Sequence, residues 1–239
     1  MGAIFEYWPS LLAGLLTTLK VAFASIAGAA LGALVLGALR LSSRRWVRTA
    51  SLVVIEVARG ASALVFLFWV FYALPLLPGM PTLTPLVAAI LVLSLIGAAY
   101  GAEIVRGGIH AVHAGQTEAC RALGLSPLQA LRTVVLPQAL SQIVPAFGSL
   151  AADMIKWTSI VSFVGVQDLL YAANNVRSAT YETVAVYCML ALVYWALCLA
   201  SGSAFRAIER FLPLNRALHA ADASGRGALP PAEPIGVPR

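Results

Sequence analysis

Long apolar runs, separated by short stretches that hold most of the charge, constrain this chain more than any other feature. A helix that crosses a bilayer needs about 20 predominantly apolar residues to span a hydrocarbon layer about 30 Å thick. The 239-residue chain has five such runs, at 15–39, 51–74, 84–102, 137–158 and 183–205. We therefore predict an all-α membrane protein with about five transmembrane helices.

Composition excludes an ordinary soluble domain and gives no sign of an enzyme. Hydrophobic residues make up 60% of the chain and charged residues only 11%, whereas about a quarter of a typical soluble domain is charged. The sequence has no P-loop, no cluster with metal-ligand spacing and no Ser/His/Asp arrangement. We predict a protein that has no ATPase site and binds no cofactor or metal of its own.

The arginines predict the orientation of the spans. If the N-terminus is outside, five spans place nearly all loop arginines on one side, and only Arg177 falls in a loop on the other. Those on the majority side are Arg40, Arg44, Arg45, Arg48, Arg106, Arg121, Arg132, Arg206, Arg210, Arg216, Arg226 and Arg239. Cytoplasmic loops are enriched in Lys and Arg. The net charge of +6 therefore reports an N-out, C-in topology in a lipid bilayer, and no nucleic-acid partner.

The chain divides into one membrane domain and a tail. Residues 1–215 form the predicted transmembrane domain, which contains a polar loop at about 115–137. Residues 216–239 are rich in Gly and Pro, so we predict a flexible cytoplasmic tail. In the first span, Ala24, Gly28 and Gly32 recur at four-residue intervals, a pattern that lets two helices approach closely. We favour packing inside the chain over dimerisation through this face.

Three pairs of opposite charge lie within or at the edges of the spans at i,i+3 spacing. They are Glu56–Arg59, Glu103–Arg106 and Asp153–Lys156. Intramembrane charges are costly and commonly mark solute pathways, although the first two pairs, near helix ends, can instead be interfacial anchors. The candidate residues for a solute path or gate are Glu56, Arg59, Glu103, Asp153, Lys156, Trp157, Thr158 and Ser159.

The polar insert "GQTEACRALGLSPLQALRTVVLP", at 115–137, interrupts the apolar pattern. It predicts a short helix from Thr117 to Leu123, which Gly124 ends by adopting a positive φ angle. A second helix then starts with Ser126 as N-cap and Pro127 at its first position, and Pro137 marks the beginning of the next span. A short helix of defined shape on the cytoplasmic side is a docking element for another protein.

The insert resembles the EAA loop of ABC importer permeases, whose pattern is E-A-A-x3-G-x9-I-x-L-P. Here Glu118-Ala119-Cys120 is followed, at the same spacing, by Gly124, Val134 and Leu136-Pro137. Segments at 14–22, 54–60, 100–119 and 155–169 are also similar to blocks of the polar amino-acid subfamily. The resemblance covers about residues 10–210.

This resemblance implies a partner for each part of the molecule. Two permease subunits, either copies or paralogues, would form the path in a bacterial inner membrane. Two ABC ATPases would bind ATP and Mg²⁺ and grip the coupling helices, which lie between spans 3 and 4. A periplasmic binding protein would deliver the solute. The residues implied in ATPase coupling are Glu118, Ala119, Cys120, Gly124, Leu136 and Pro137.

Two departures from the subfamily concern the solute. The chain reads RGASALVF at 59–66, where the subfamily usually has R-G-T-P-L-L-V-Q, and KWTSI at 156–160, where it has K-D-T-S-L. The run beginning at 62 resembles permeases for ectoine and hydroxyectoine. A polar amino acid is the first expectation, and such a compatible solute is the alternative. A secondary transporter without an ATPase would leave the spacing from Glu118 to Pro137 unexplained.

Overall fold

The computed structural model of this protein describes residues 6–40 and 42–210, and within these ranges it is helical and contains no strand. The predicted tail at 216–239 lies outside the described residues. The helices are α1 (Trp8–Arg40), α2 (Arg45–Gly60), α3 (Ala63–Phe68), α4 (Pro85–His110), α5 (Ala114–Ala122), α6 (Pro127–Ala130), α7 (Leu136–Trp157), α8 (Leu169–Thr180) and α9 (Thr183–Arg210). Among the described residues, four helical stretches are long and apolar enough to cross a membrane: Trp8–Arg40, Pro85–His110, Pro127–Val164 and Thr183–Arg210.

The second predicted span is not one continuous helix. The run at 51–74 belongs to α2 and to a second helical stretch, Ala63–Leu76, and the two meet at an angle of 108°. Ala61 and Ser62 between them have extended backbone conformations, which end one helix and begin the next. The described chain therefore has four candidate spans, or five if this bent pair counts as one. Apolar content alone did not reveal the break.

The small residues of α1 pack against α4 inside the chain. A Cβ atom added at Gly32 would lie 2.6 Å from the Ala98 side chain, and one added at Gly28 would lie 2.4 Å from the Ser94 hydroxyl. From the other side, a Cβ atom at Gly97 would lie 2.7 Å from Ala29. The two backbones therefore approach as closely as small side chains permit, and this face of α1 is used internally, as expected.

Helix α8 is an element that the sequence analysis missed. It places Arg177, expected in an outer loop, in the last turn of a helix. The helix begins after Asp168, whose carboxylate accepts a hydrogen bond from the Tyr171 N–H at 2.9 Å. The backbone N–H of Leu169, the first residue of α8, donates to the Thr18 hydroxyl of α1 at 3.0 Å. This buried bond fixes the start of α8 against α1.

Candidate functional site

The polar insert forms a sharp corner between α5 and α6. Gly124 has a φ of +73°, and its N–H donates to the carbonyl oxygen of Arg121 while the Leu125 N–H donates to that of Cys120, both at 3.0 Å. This pair of bonds is the Schellman arrangement that ends a helix with a left-handed residue. The predicted positive φ angle of Gly124 at the end of the helix is confirmed, although α5 begins at Ala114, three residues before the expected start.

A capping box starts the second arm of the corner. The Gln129 N–H donates to the Ser126 hydroxyl at 3.3 Å, and the Ser126 N–H donates to the Gln129 side-chain oxygen at 2.9 Å. Pro127 occupies the first turn, where a missing N–H costs no helical bond. The corner is thus fixed by backbone bonds on both sides of Gly124.

No loop separates this second arm from the following span. After α6 the backbone makes a wide π-helical turn, Leu131–Val135, and enters α7 with Pro137 in its first turn. A proline cannot donate the usual helical hydrogen bond, and in membrane helices local π adjustments help to satisfy the backbone groups that a proline frees. The helical stretch therefore runs from Pro127 to Val164, and Pro137 lies inside it.

The corner presents a surface of defined composition. Glu118, Ala119 and Gly124 are exposed, and Leu123 is 78% exposed. Such an exposed leucine beside a small residue is a good anchor for a groove on another protein. Cys120, in contrast, is only 3% exposed. Its side chain packs inside the chain, so it supports the corner from within.

A second group of side chains, each of them half-buried, lies around Arg59. The Arg59 guanidinium carbon lies 5.3 Å from the ring centre of Tyr100, a cation–π distance. Tyr100 in turn lies 5.7 Å from the ring centre of Trp157. The Nε atom of Arg59 is buried without a hydrogen-bond partner among the described residues, and Glu56 approaches only to 3.9 Å. We call Arg59, Tyr100 and Trp157 the cation–aromatic cluster.

The remaining candidates near Trp157 differ in their exposure. Lys156 and Asp153 form an ion pair at 2.6 Å, and both side chains are about half exposed. The Thr158 hydroxyl donates to the Ile155 carbonyl oxygen at 2.7 Å, and Thr158 has no exposed surface. The Ser159 hydroxyl donates to the Lys156 carbonyl oxygen. In this conformation Thr158 therefore does not line an open path.

Glu103 belongs to a different group. Its carboxylate bonds Arg40 of α1 and also accepts from Arg106 Nε on α4 at 2.8 Å. The sequence predicted the Arg106 pair but not Arg40, which is 63 residues away in the chain. The interpretation of Glu103 as an anchor near a helix end fits this geometry, because the carboxylate ties the ends of α1 and α4 together.

Two further polar residues escaped the sequence analysis. Tyr100 lies on an apolar helix and no local pattern distinguishes it. Asp168 could have been found, since an Asp directly before an apolar helical segment is a common N-cap signal. Burial raises the pKa of its carboxyl to about 6, because the carboxylate loses hydration and one oxygen has no partner among the described residues.

Within residues 6–40 and 42–210, no three potential metal ligands lie together.

Relatives in curated collections share most of the chain. It is 44% identical over 174 residues to the probable amino-acid ABC transporter permease protein y4tF of Sinorhizobium fredii, covering 71% of this chain and 73% of that protein. It is 34% identical over 221 residues to the L-cystine transport system permease protein TcyL of Bacillus subtilis, covering 90% and 92%. Both relatives are permease subunits of transport systems.

A solved structure has the same fold. It is a crystal structure of an amino acid ABC transporter with histidines, and one of its chains superposes with a TM-score of 0.81 at 34% identity, covering 87% of this chain and 96% of that one. The family described as binding-protein-dependent transport system inner membrane component matches residues 29–212. This chain therefore belongs to that family, as an inner-membrane permease subunit of an ABC transporter and not an enzyme.

Proposed function

We propose that this chain carries a polar amino acid, or a solute with the same charged groups, through an ATP-driven importer. Two observations support the amino-acid class: the names of y4tF and TcyL and the unpaired guanidinium nitrogen in the cation–aromatic cluster. The complex contains a second permease subunit, two ABC ATPases and a periplasmic binding protein. We place the N-terminus outside and the α5–α6 corner in the cytoplasm.

The corner couples the permease to its ATPase. The observation that carries this proposal is the combination of an exposed, hydrogen-bonded corner with an uninterrupted helical stretch from Pro127 to Val164. A partner that grips Ala119 and Leu123 and moves on ATP binding displaces α7 directly, because no flexible loop absorbs the motion. Helix α7 carries Asp153, Lys156 and Trp157 to the solute path, so the same motion reorients that path.

An affinity pull-down from native membranes in mild detergent tests the coupling. We expect an ABC ATPase to co-purify with the unmodified chain and to be lost from Gly124→Asp, which places a charge at the tip of the corner. Gly107→Asp is the matched control, because Gly107 is also exposed and a side chain there also meets nothing within 4 Å. It should keep the ATPase.

Two results would contradict the coupling proposal. If no ATPase accompanies the unmodified chain although the chain supports uptake, an ion-coupled secondary transporter becomes the better account. If Gly107→Asp loses the ATPase as completely as Gly124→Asp, the effect is a general consequence of added charge. A thermal-unfolding measurement on each variant shows whether the membrane domain itself is intact.

We further propose that the cation–aromatic cluster recognises the solute. An Arg guanidinium offers a planar fork that matches a carboxylate, and the buried Nε of Arg59 leaves one donor of that fork unused. Trp157 and Tyr100 supply aromatic faces for the solute's ammonium group or carbon skeleton. Asp153 and Lys156, which pair with each other at 2.6 Å, form the opposite-charge gate beside Trp157.

Uptake into proteoliposomes that contain the assembled importer tests this assignment. Arg59→Gln should lower amino-acid uptake at least about tenfold, the loss expected for a charge-assisted hydrogen bond of 1.5–3 kcal/mol, while the ATPase still co-purifies. Trp157→Phe should cost less than Trp157→Ala, with Trp195→Phe on the exposed face of α9 as the control. Unchanged uptake by Arg59→Gln would refute the assignment.

The same assay decides the solute class. Competition by unlabelled amino acids, but not by ectoine, supports the proposal. The ectoine resemblance has no specific support among the relatives described above, so it stays a prediction. Stronger competition by ectoine than by any amino acid would make a compatible solute, and not a polar amino acid, the better assignment.

A further inference from the structure

A basic pocket lies where α1, α2 and α4 meet. Its volume is about 270 Å³, and its lining residues are Gly37, Arg40, Arg48, Val105, Arg106, Ile109 and His110. None of these residues belongs to the α5–α6 corner or to the cation–aromatic cluster. Its lining combines three arginines and a histidine with Gly37, Val105 and Ile109, so it offers both cationic groups and apolar surface.

The pocket carries excess positive charge. Glu103 pairs with both Arg40 and Arg106, and one carboxylate neutralises only one of these two guanidinium groups. Arg48, which is exposed, has no acidic partner in the described part of the chain. The pocket lining therefore carries three guanidinium groups, of which two share one carboxylate, and the donors of Arg48 are free to bind an anion.

The pocket lies at the ends of two candidate spans, where the boundary between hydrocarbon and headgroups is expected. Arg40 is the last residue of α1 and His110 the last of α4, so the pocket lies where two apolar spans end. Helix α2 begins beside it, and its Trp46 is 69% exposed. Exposed tryptophans and arginines near the ends of spans are enriched at the headgroup level.

We propose that this pocket binds the phosphate group of an anionic phospholipid. The arginine forks match phosphate oxygens, and basic pockets between transmembrane helices on the cytoplasmic side are a recognised form of headgroup site. Gly37, Val105 and Ile109 leave an apolar wall against which the start of an acyl chain packs. Inorganic phosphate satisfies the arginines equally but makes no use of that wall.

Native mass spectrometry of the full-length chain, alone and in its ATPase complex, tests the proposal with phosphatidylglycerol as probe. The comparison ligands are inorganic phosphate and phosphatidylcholine, whose phosphodiester is balanced by a choline cation so that the headgroup has no net charge. Arg48→Gln removes the unpaired cation without disturbing the Glu103 network, and Arg45→Gln on the same helix, outside the pocket lining, is the matched control. One arginine near the surface contributes enough that Arg48→Gln should weaken binding about fivefold.

We expect the protein to retain phosphatidylglycerol in preference to phosphatidylcholine, both alone and in the ATPase complex. Retention of phosphatidylglycerol should fall in Arg48→Gln and stay unchanged in Arg45→Gln. Equal retention of the two lipids, or equal losses in the two variants, would overturn the proposal. Displacement of the lipid by a few millimolar inorganic phosphate would assign the pocket to a free anion instead. Exclusion of the lipid from the ATPase complex would show that the pocket is a protein contact. None of these results depends on which solute is carried.

Discussion

The interior around α1 and the α5–α6 corner are both well defined, but by different means. Between α1 and α4 the definition is steric, because Gly28, Gly32 and Gly97 leave no room even for a methyl group. At the corner it comes from backbone hydrogen bonds, and a Cβ atom added at Gly124 would meet nothing within 4 Å. One region is fixed by what surrounds it, and the other by its own backbone.

This contrast predicts different sensitivities to mutation. In the interior, any added volume meets neighbouring backbone or side chains, so the fold itself responds. At the corner the fold tolerates volume, and only the backbone conformation and the chemistry of the surface matter. Interior substitutions should therefore change stability and corner substitutions should change partnership, and the four predictions below test that division.

The largest effect is expected for Gly97→Leu. A Cβ atom there already lies 2.7 Å from both Ala29 and the Met154 sulfur, so a leucine must separate three helices. We expect a loss of about 3 kcal/mol, at the upper end for overpacked sites, and little folded protein in fluorescence-detected size-exclusion chromatography. Gly107→Leu, at an exposed position of the same helix, should remain folded. A folded Gly97→Leu protein would show that the interior between α1 and α4 is not fixed by steric contact, contrary to the comparison.

A buried carboxyl provides the next test of the interior. The pKa of Asp168 is raised to about 6 from an ordinary value of 3.8. The unfolded chain therefore releases this proton first, so stability is highest below about pH 4 and falls as the pH rises to about 6. The full loss is about 3 kcal/mol at most.

Asp168→Asn removes this charge and keeps a good N-cap residue. We expect the variant to be more stable than the parent at pH 7 and to lose the pH dependence between pH 4 and 6, measured as thermal unfolding in detergent. Asp153→Asn, at a half-exposed carboxylate, is the control and should keep the slope. An unchanged slope in Asp168→Asn would assign the dependence to another group.

Substitutions at Gly124 separate backbone conformation from surface. A non-glycine residue at a φ of +73° costs roughly 1–2 kcal/mol, but Asn tolerates this region far better than a β-branched residue does. We expect Gly124→Asn to keep most ATPase co-purification and Gly124→Val to lose most of it, while both retain the thermal stability of the membrane domain. Equal losses of the ATPase from the two variants would mean that the partner recognises the surface of the corner and not the conformation of its turn.

The smallest effect is expected for Ser126→Ala. It removes one of the two capping-box bonds at the start of α6, at a local cost of about 1 kcal/mol. The corner should fray without unfolding, which a modest fall in ATPase-coupled uptake and faster amide hydrogen exchange at 126–129 would reveal. Ser203→Ala, whose hydroxyl only donates to its own helix, should change neither.

What the sequence predicts correctly follows the same division. The roles of Gly124 and Ser126 are legible because a turn and a cap depend on a few adjacent residues. The contacts of Arg40 with Glu103 and of Tyr100 with Trp157 were not predictable, because they join residues far apart in the chain. The break after Gly60 was missed because residues 51–74 together form one predominantly apolar run, and apolar content gives no information on the angle between two helical segments.

The close contact between α1 and α4 also restricts how the protein can move. Packed helices can move by small sliding motions, which side chains accommodate by changing rotamer, but glycine and alanine have no side-chain rotamers to change. We therefore expect α1 and α4 to travel as one rigid body during transport. The hinges then lie where the chain lacks such contacts, and the sharp bend between Gly60 and Ala63 is the first place to look for one.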